Sequence, residues 1–393
     1  MTGFLSKRVS EVVRMTMADM ADLADARPGS FRLENADTCL TPAPHVLEAT
    51  RAAVGEDRYN SYLPLRGLRE LREAVARRYL EDYGLTYDPE GEIVITSGAG
   101  EAILDALLAL LDPGDRVLLT NPTYSGMAQR VRLAGGVRSF TDLVEEKDWH
   151  LDPDGFRAAA RGCKAIFYAS PCMPTGTVFT PEETELICEI ARENDAVVLF
   201  NGTLEKIVYD GNRVTHPASL PGMRERTVIV SSVSKNYNMM GWRIGWLAGP
   251  RELIRAMEDV HIFNGLMPSG ITQAGAAAAL SGPQEWVQEA VRIYQRQRDV
   301  LLEGLSDVPG FRPTKPEGGY FFIANISALG VKSPEFCRGL LEDTDVAITP
   351  MVAWGSDDFG YEHVRFIFTN EPENRLGEAA ARISIFVKRH YAA

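Results

Sequence analysis

Two hydrophobic patterns alternate along this chain. Between about residue 90 and residue 250, short runs rich in valine and isoleucine recur, and the stretches between them carry apolar residues at helical spacing. The runs 92–96, 116–120, 165–169, 196–200, 227–231 and 244–248 are apolar over most of their length rather than at every second position. That pattern predicts strands covered on both faces, in one mostly parallel sheet of an α/β fold. Helices are expected at 100–111, 181–194 and 251–261. A longer periodic stretch, 283–305, predicts a helix leading to a second, smaller α/β unit. Its strands are expected at 319–324, 346–349 and 363–369, with a closing helix at 373–389. Segment 4–24 is amphipathic and is expected to fold back on that second unit. The expected division is an N-terminal arm associated with the small unit (1–45), a large unit (46–282), and the connecting helix with the small C-terminal unit (283–393).

Composition narrows the function. A chain of 393 residues that is 45% hydrophobic can bury the cores of two such units. A formal charge of -13 leaves no basic stripe to follow a phosphate backbone, so nucleic acid is not an expected partner. The five cysteines, Cys39, Cys163, Cys172, Cys188 and Cys337, are scattered without ligand-like spacing, which suits a reducing compartment. Charges run through residues 1–23 and no later apolar run is long enough for a bilayer, so no membrane is expected and a cytoplasmic location is. No two of the six histidines stand at helical spacing, and no metal is expected.

Candidate chemistry gathers at the ends of predicted strands. Ser231-Ser232-Val233-Ser234-Lys235 follows one strand and leads through a polar turn to Gly241-Trp242-Arg243-Ile244-Gly245. A partly desolvated lysine loses its proton readily and condenses with an aldehyde. Hydroxyl residues before it and an arginine eight residues after it supply neutral donors and a cationic fork, which suits a phosphate-tethered aldehyde. Upstream, Thr96-Ser97-Gly98-Ala99-Gly100-Glu101-Ala102 runs from a strand end into a helix start, where small residues let backbone N–H groups approach an anion. Asn121-Pro122-Thr123-Tyr124 ends the next strand and offers the Tyr124 ring to a flat heteroaromatic group.

Taken in order, these motifs resemble the fold-type I pyridoxal 5′-phosphate (PLP) enzymes, specifically the class I/II aminotransferase family. The resemblance is carried by YNSYLPLRGLRELR from Tyr59, Ser97 to Ala102, Pro122 to Tyr124, Pro174-Thr175-Gly176, Val208-Tyr209-Asp210-Gly211, Ser232 to Gly245 and His363-Val364-Arg365. It implies an aspartate aminotransferase-like fold, an α-amino-acid substrate, and a homodimer with shared active sites in which Tyr62 reaches the neighbouring cofactor phosphate. It also implies that Lys235 is the Schiff-base lysine and proton shuttle. Arg243 and Ser232, with the backbone of the Ser97, Gly98, Ala99 and Gly100 turn, are implied to hold the phosphate, and Arg365 the substrate α-carboxylate. Asn35 and Trp354 stand at substrate-side positions.

The departures lie around the cofactor ring. Asn201-Gly202-Thr203-Leu204 stands where the family usually has Asp-Glu-x-Tyr, and Met173 stands where a ring-binding Asn is common. The family's Asp keeps the pyridine nitrogen protonated; Asn201 carries no charge to do so. Leu204 donates no hydrogen bond to the ring oxygen. Asn35-Ala36-Asp37-Thr38 replaces a Gly-x-Pro-Asp turn, and Met351 replaces a glycine before Trp354-Gly355. These changes keep a second reading open: elimination, replacement or epimerisation, with Asn201 bonding a largely unprotonated ring nitrogen. A third reading, a ligand-sensing half of a transcription regulator, fits poorly with the acidic charge and with a family-like core that begins within the first few dozen residues.

Overall fold

A computed structural model describes residues 4, 6–14 and 16–391. Residues 1–3, 5, 15 and 392–393, which belong to the expected arm and C-terminal unit, lie outside the described residues.

The main sheet has eight strands, in the spatial order Ile93–Thr96, Gly245–Ala248, Thr227–Ser232, Val197–Asn201, Cys163–Ala169, Arg116–Asn121, Val137–Val144, His150–Leu151. Six of them are the apolar runs identified above. From Thr227–Ser232 to Val137–Val144 every pairing is parallel. Gly245–Ala248 runs antiparallel to both its neighbours, and His150–Leu151 to its one. Helices such as Ala99–Leu110 and Pro181–Glu193 cover the faces, so the central strands are buried except near their N-terminal ends, where Lys164 is exposed and Val197 half-buried. The two strands the hydrophobic runs do not reveal have a physical reason to be hidden. Val137–Val144 lies one place from the edge and alternates between buried and exposed positions, and His150–Leu151 is a two-residue edge strand.

The second unit is an antiparallel sheet in the order Arg312–Pro313, Phe321–Asn325, His363–Ile367, Thr349–Pro350. The strand expected at 346–349 is divided: Val346–Ala347 pairs in parallel with Phe31–Arg32, and Thr349–Pro350 turns to pair with His363–Ile367. Helix Glu285–Ser306 connects the units and packs on the closing helix Glu373–His390.

Segment 4–24 does not fold back as one piece. Its second half, helix Thr16–Asp25, lies on the small unit, with Met20 and Ala24 buried and Thr16 Oγ1 donating to Pro350 O at 2.8 Å. Its first half lies instead against the large unit's helix Ser125–Leu133, where Arg8 donates to Leu133 O at 3.2 Å and the Val13 N–H to Gln129 Oε1 at 3.1 Å.

Candidate active site

Parallel strands deliver their C-terminal ends to one edge of the sheet, where open α/β sheets hold ligands. Asn201 ends one strand and Ser232 the next, Tyr124 follows Arg116–Asn121, and Met173 follows Cys163–Ala169. Together with Arg365 and Trp354 from the small unit they line a cavity of about 210 Å³.

Lys235 enters this cavity from the one-turn helix Val233–Asn236. Ser232 caps that turn, its Oγ accepting from the Ser234 N–H at 3.3 Å, and Tyr320 OH donates to Lys235 O at 2.8 Å. Burial, and then the nearby guanidinium groups of Arg243 and Arg365, lower the Lys235 amine to about 8 against a weaker pull from Asp37. An amine so placed has a large neutral fraction just above neutral pH.

At one end of the cavity is the turn into helix Ala99–Leu110, whose first-turn N–H groups have no partner within the helix. Gly98 adopts φ +80°, and a Cβ there would collide with the Arg243 guanidinium. Arg243 Nη1 donates to Met240 O at 3.0 Å and lies 3.4 Å from Ser234 Oγ. Ala99 and Gly100 line the cavity; Ser97 is exposed and its N–H is taken by Glu101 Oε2. Glu101 in turn binds His261 Nδ1 at 2.9 Å, and Asp105 lies 3.7 Å from the same nitrogen.

At the other end is Arg365, on strand His363–Ile367 and 1% exposed. Its Nη2 donates to Glu34 O at 2.7 Å and lies 3.3 Å from Thr349 Oγ1, and its guanidinium carbon sits 4.1 Å from the centre of the Trp354 ring. Its Nε is buried without a hydrogen-bond partner, and among the described residues it forms no ion pair. Burial lowers this guanidinium, to about 9, against Glu34 and Tyr124. A buried cation with an orphaned donor is stabilised by an anion that lies in its plane. Asn35 lines the same end.

Between the ends, Asn201 Oδ1 accepts from the Thr203 N–H at 3.1 Å and from Thr203 Oγ1 at 2.7 Å. A backbone N–H can only donate, so the atom facing it is the amide oxygen, and Nδ2 remains as the group Asn201 offers the cavity. Met173 lines the wall, whereas Leu204 is buried behind it.

Of the residues expected at the site, Ser97 and Tyr62 lie off this cavity, and Gly98 stands just behind it against Arg243. Tyr62 is 81% exposed. The cavity also holds Ser234 and Thr203, which lie within the motifs, and Arg130 and Met17, which the motifs do not reveal. Arg130 reaches it only because helix Ser125–Leu133 packs beside helix Ala99–Leu110, a proximity without a local signal in the sequence.

Donor set and anion cradle match a phosphate-bearing aldehyde cofactor and a carboxylate substrate, and comparison with known proteins agrees. Residues 31–383 match the family described as aminotransferase class I and II. The chain is similar to the aspartate aminotransferase of Bacillus subtilis, at 31% identity over 98% of this chain and 99% of that protein. Among solved structures it is similar to the N-succinyldiaminopimelate aminotransferase of Mycobacterium tuberculosis, with TM-score 0.92 and 34% identity over 97% of this chain and 100% of the other. It is also similar to the aspartate aminotransferase of Thermus thermophilus solved with maleate, with TM-score 0.90 and 31% identity over 98% of this chain and 100% of the other.

Proposed function

Because this chain belongs to the aminotransferase class I and II family, we propose that it moves the amino group of an α-amino acid, using PLP held at Lys235. The observation that carries this reading is the Lys235 amine, lowered to about 8 and facing a cavity that no aspartate or glutamate lines among the described residues. When bound, the cofactor supplies an aldehyde to condense with that amine and a ring that accepts electron density as the substrate α-proton leaves.

The chain's own groups divide the remaining work. Arg243, the Ser232 hydroxyl and the N–H groups of Ala99 and Gly100 hold the phosphate. Tyr124 covers the ring. Arg365 orients the substrate α-carboxylate by paired hydrogen bonds, supported by its orphaned Nε and its seat on Trp354. Lys235 Nζ would take the proton from the substrate α-carbon and hold it for delivery to the carbon that was the cofactor's aldehyde, since giving it back to the α-carbon would only regenerate an amino acid.

Elimination, replacement or epimerisation, raised by Asn201, Met173 and Leu204, is not favoured, since the relatives named above are aminotransferases. A homodimer with shared sites is a companion proposal, supported by an exposed Tyr62 beside the cavity-forming unit. The same holds for the division at residues 46–282 and 283–393, for a biosynthetic role, and for a cytoplasmic setting, the last supported by five free cysteines.

Reconstitution with PLP, borohydride reduction and peptide mass spectrometry tests the central claim. The adduct is expected on Lys235 and absent from Lys235→Ala, and 2-oxo acid is expected from a panel of amino acids; an unmodified Lys235 overturns the reading.

A further inference from the structure

Two glycines open the anion-binding turn, and each makes room for a guanidinium. A Cβ on Gly98 would occupy the place of the Arg243 guanidinium, and a Cβ on Gly100 would stand 2.8 Å from Arg130 Nη2. Arg130 is anchored from behind: its Nη1 donates to Gly126 O, a neutral carbonyl, at 2.8 Å. Among the described residues neither arginine forms an ion pair. The one carboxylate on the turn, Glu101, is engaged instead by His261 at 2.9 Å and by the Ser97 N–H.

This arrangement gathers positive charge at one turn. The first turn of a helix carries a partial positive charge that repels cations. Two guanidinium groups pressed against such a turn, Arg243 exposed and Arg130 half-buried, in a cavity that also holds Lys235 and Arg365 and is lined by no acidic side chain, are stabilised by an anion among them. A phosphate monoester carries up to two negative charges and three acceptor oxygens, enough to engage two forks and backbone N–H groups together.

We propose that Arg130 is a second ligand of the cofactor phosphate, placed across the Gly98–Gly100 turn from Arg243. The proposal rests on the reading of the site as a PLP site. Its position over Gly100 assigns Arg130 to the phosphate end, because the carboxylate end is built from a different sheet around Arg365 and Trp354. Gly100 is then required for side-chain space rather than for backbone freedom, since it sits inside a helix.

Binding of PLP and of pyridoxal, which has the same aldehyde and ring without the phosphate, separates the possibilities by imine absorbance. In Arg130→Gln the Kd for PLP is expected to rise about tenfold or more, the usual effect of losing a charge-assisted contact, while the Kd for pyridoxal stays as in the wild type. Gly100→Ala provides a second route: it keeps the charge but puts a methyl group against Nη2, and it is expected to weaken PLP and not pyridoxal. Joined to Arg130→Gln it should add little further loss, because both changes act on one contact. Equal losses for the two ligands, or an unchanged PLP Kd in Arg130→Gln, overturn the proposal. So does an unchanged Kd with a raised KM for the amino acid, which would assign Arg130 to the substrate. Wild-type protein that binds neither compound overturns the PLP reading itself, an outcome distinct from wild-type binding with unaffected variants.

Discussion

Arg365 and Asn201 make opposite demands on what enters the cavity. Arg365 is a buried cation that keeps its Nε donor unpaired while Nη2 holds Glu34 O. Arg365→Gln is expected to raise KM for the amino acid by about 10- to 100-fold, with PLP affinity unchanged, from the loss of a bidentate charge-assisted pair. Steady-state kinetics with a cofactor titration checks this, and a fall in PLP affinity of the same size would count against the assignment. Asn201 commits its oxygen to Thr203, leaving an N–H donor where a carboxylate would hold the ring nitrogen protonated. Restoring the charge in Asn201→Asp is therefore expected to accelerate formation of the 2-oxo acid. Each unit gained in the pKa of the ring nitrogen stabilises its protonated form by about 1.4 kcal/mol. A slower variant with intact cofactor binding would show that this site works with a neutral ring.

Among elements, the contact between helices Ala99–Leu110 and Arg251–Asn264 carries a buried ion pair at the start of the Gly98–Gly100 turn. Burial disfavours charge on His261, but Asp105 and Glu101 outweigh it and lift the imidazole to about 9 from 6.5. A group raised on folding stabilises the native state fully below its unfolded pKa, near 6.5, and loses that contribution as pH climbs through about 9. Thermal denaturation between about pH 6 and pH 9.5 should show a falling Tm that His261→Gln flattens. Parallel curves for the two proteins would place the proton elsewhere. Glu101 of this pair also accepts from the Ser97 N–H at the start of the turn that Ala99 and Gly100 continue.

On the scale of the whole molecule, one chain leaves Tyr62 facing solvent. If that face meets a second copy, mixing Lys235→Ala and Tyr62→Ala subunits should recover one intact site per hybrid dimer. Half of the sites in such hybrids are then expected to bind PLP with wild-type affinity, and a monomer by sedimentation, or no recovery on mixing, contradicts this. The chain order of residues was sufficient for much of the architecture. Strands covered on both faces leave uninterrupted apolar runs, so six of the eight in the main sheet were legible, whereas Val137–Val144 and His150–Leu151 near the open edge carry mixed polarity. Lys235 and Arg243 were legible for a related reason: they lie on one short segment whose strand and turn set their spacing locally. Arg130 and Met17 were not, because what brings them to the cavity is the packing of separate helices and loops. The division of the strand expected at 346–349 likewise came from outside it, from Phe31–Arg32 on one side and His363–Ile367 on the other. The sequence by itself determined most of the elements and the segments that carry Lys235 and the Ser97–Gly100 turn, since each depends on near neighbours. Only the tertiary structure decided which cations stand unpaired in one cavity and which way the Asn201 amide turns, because charge pairing and hydrogen-bond polarity depend on atoms that are distant along the chain.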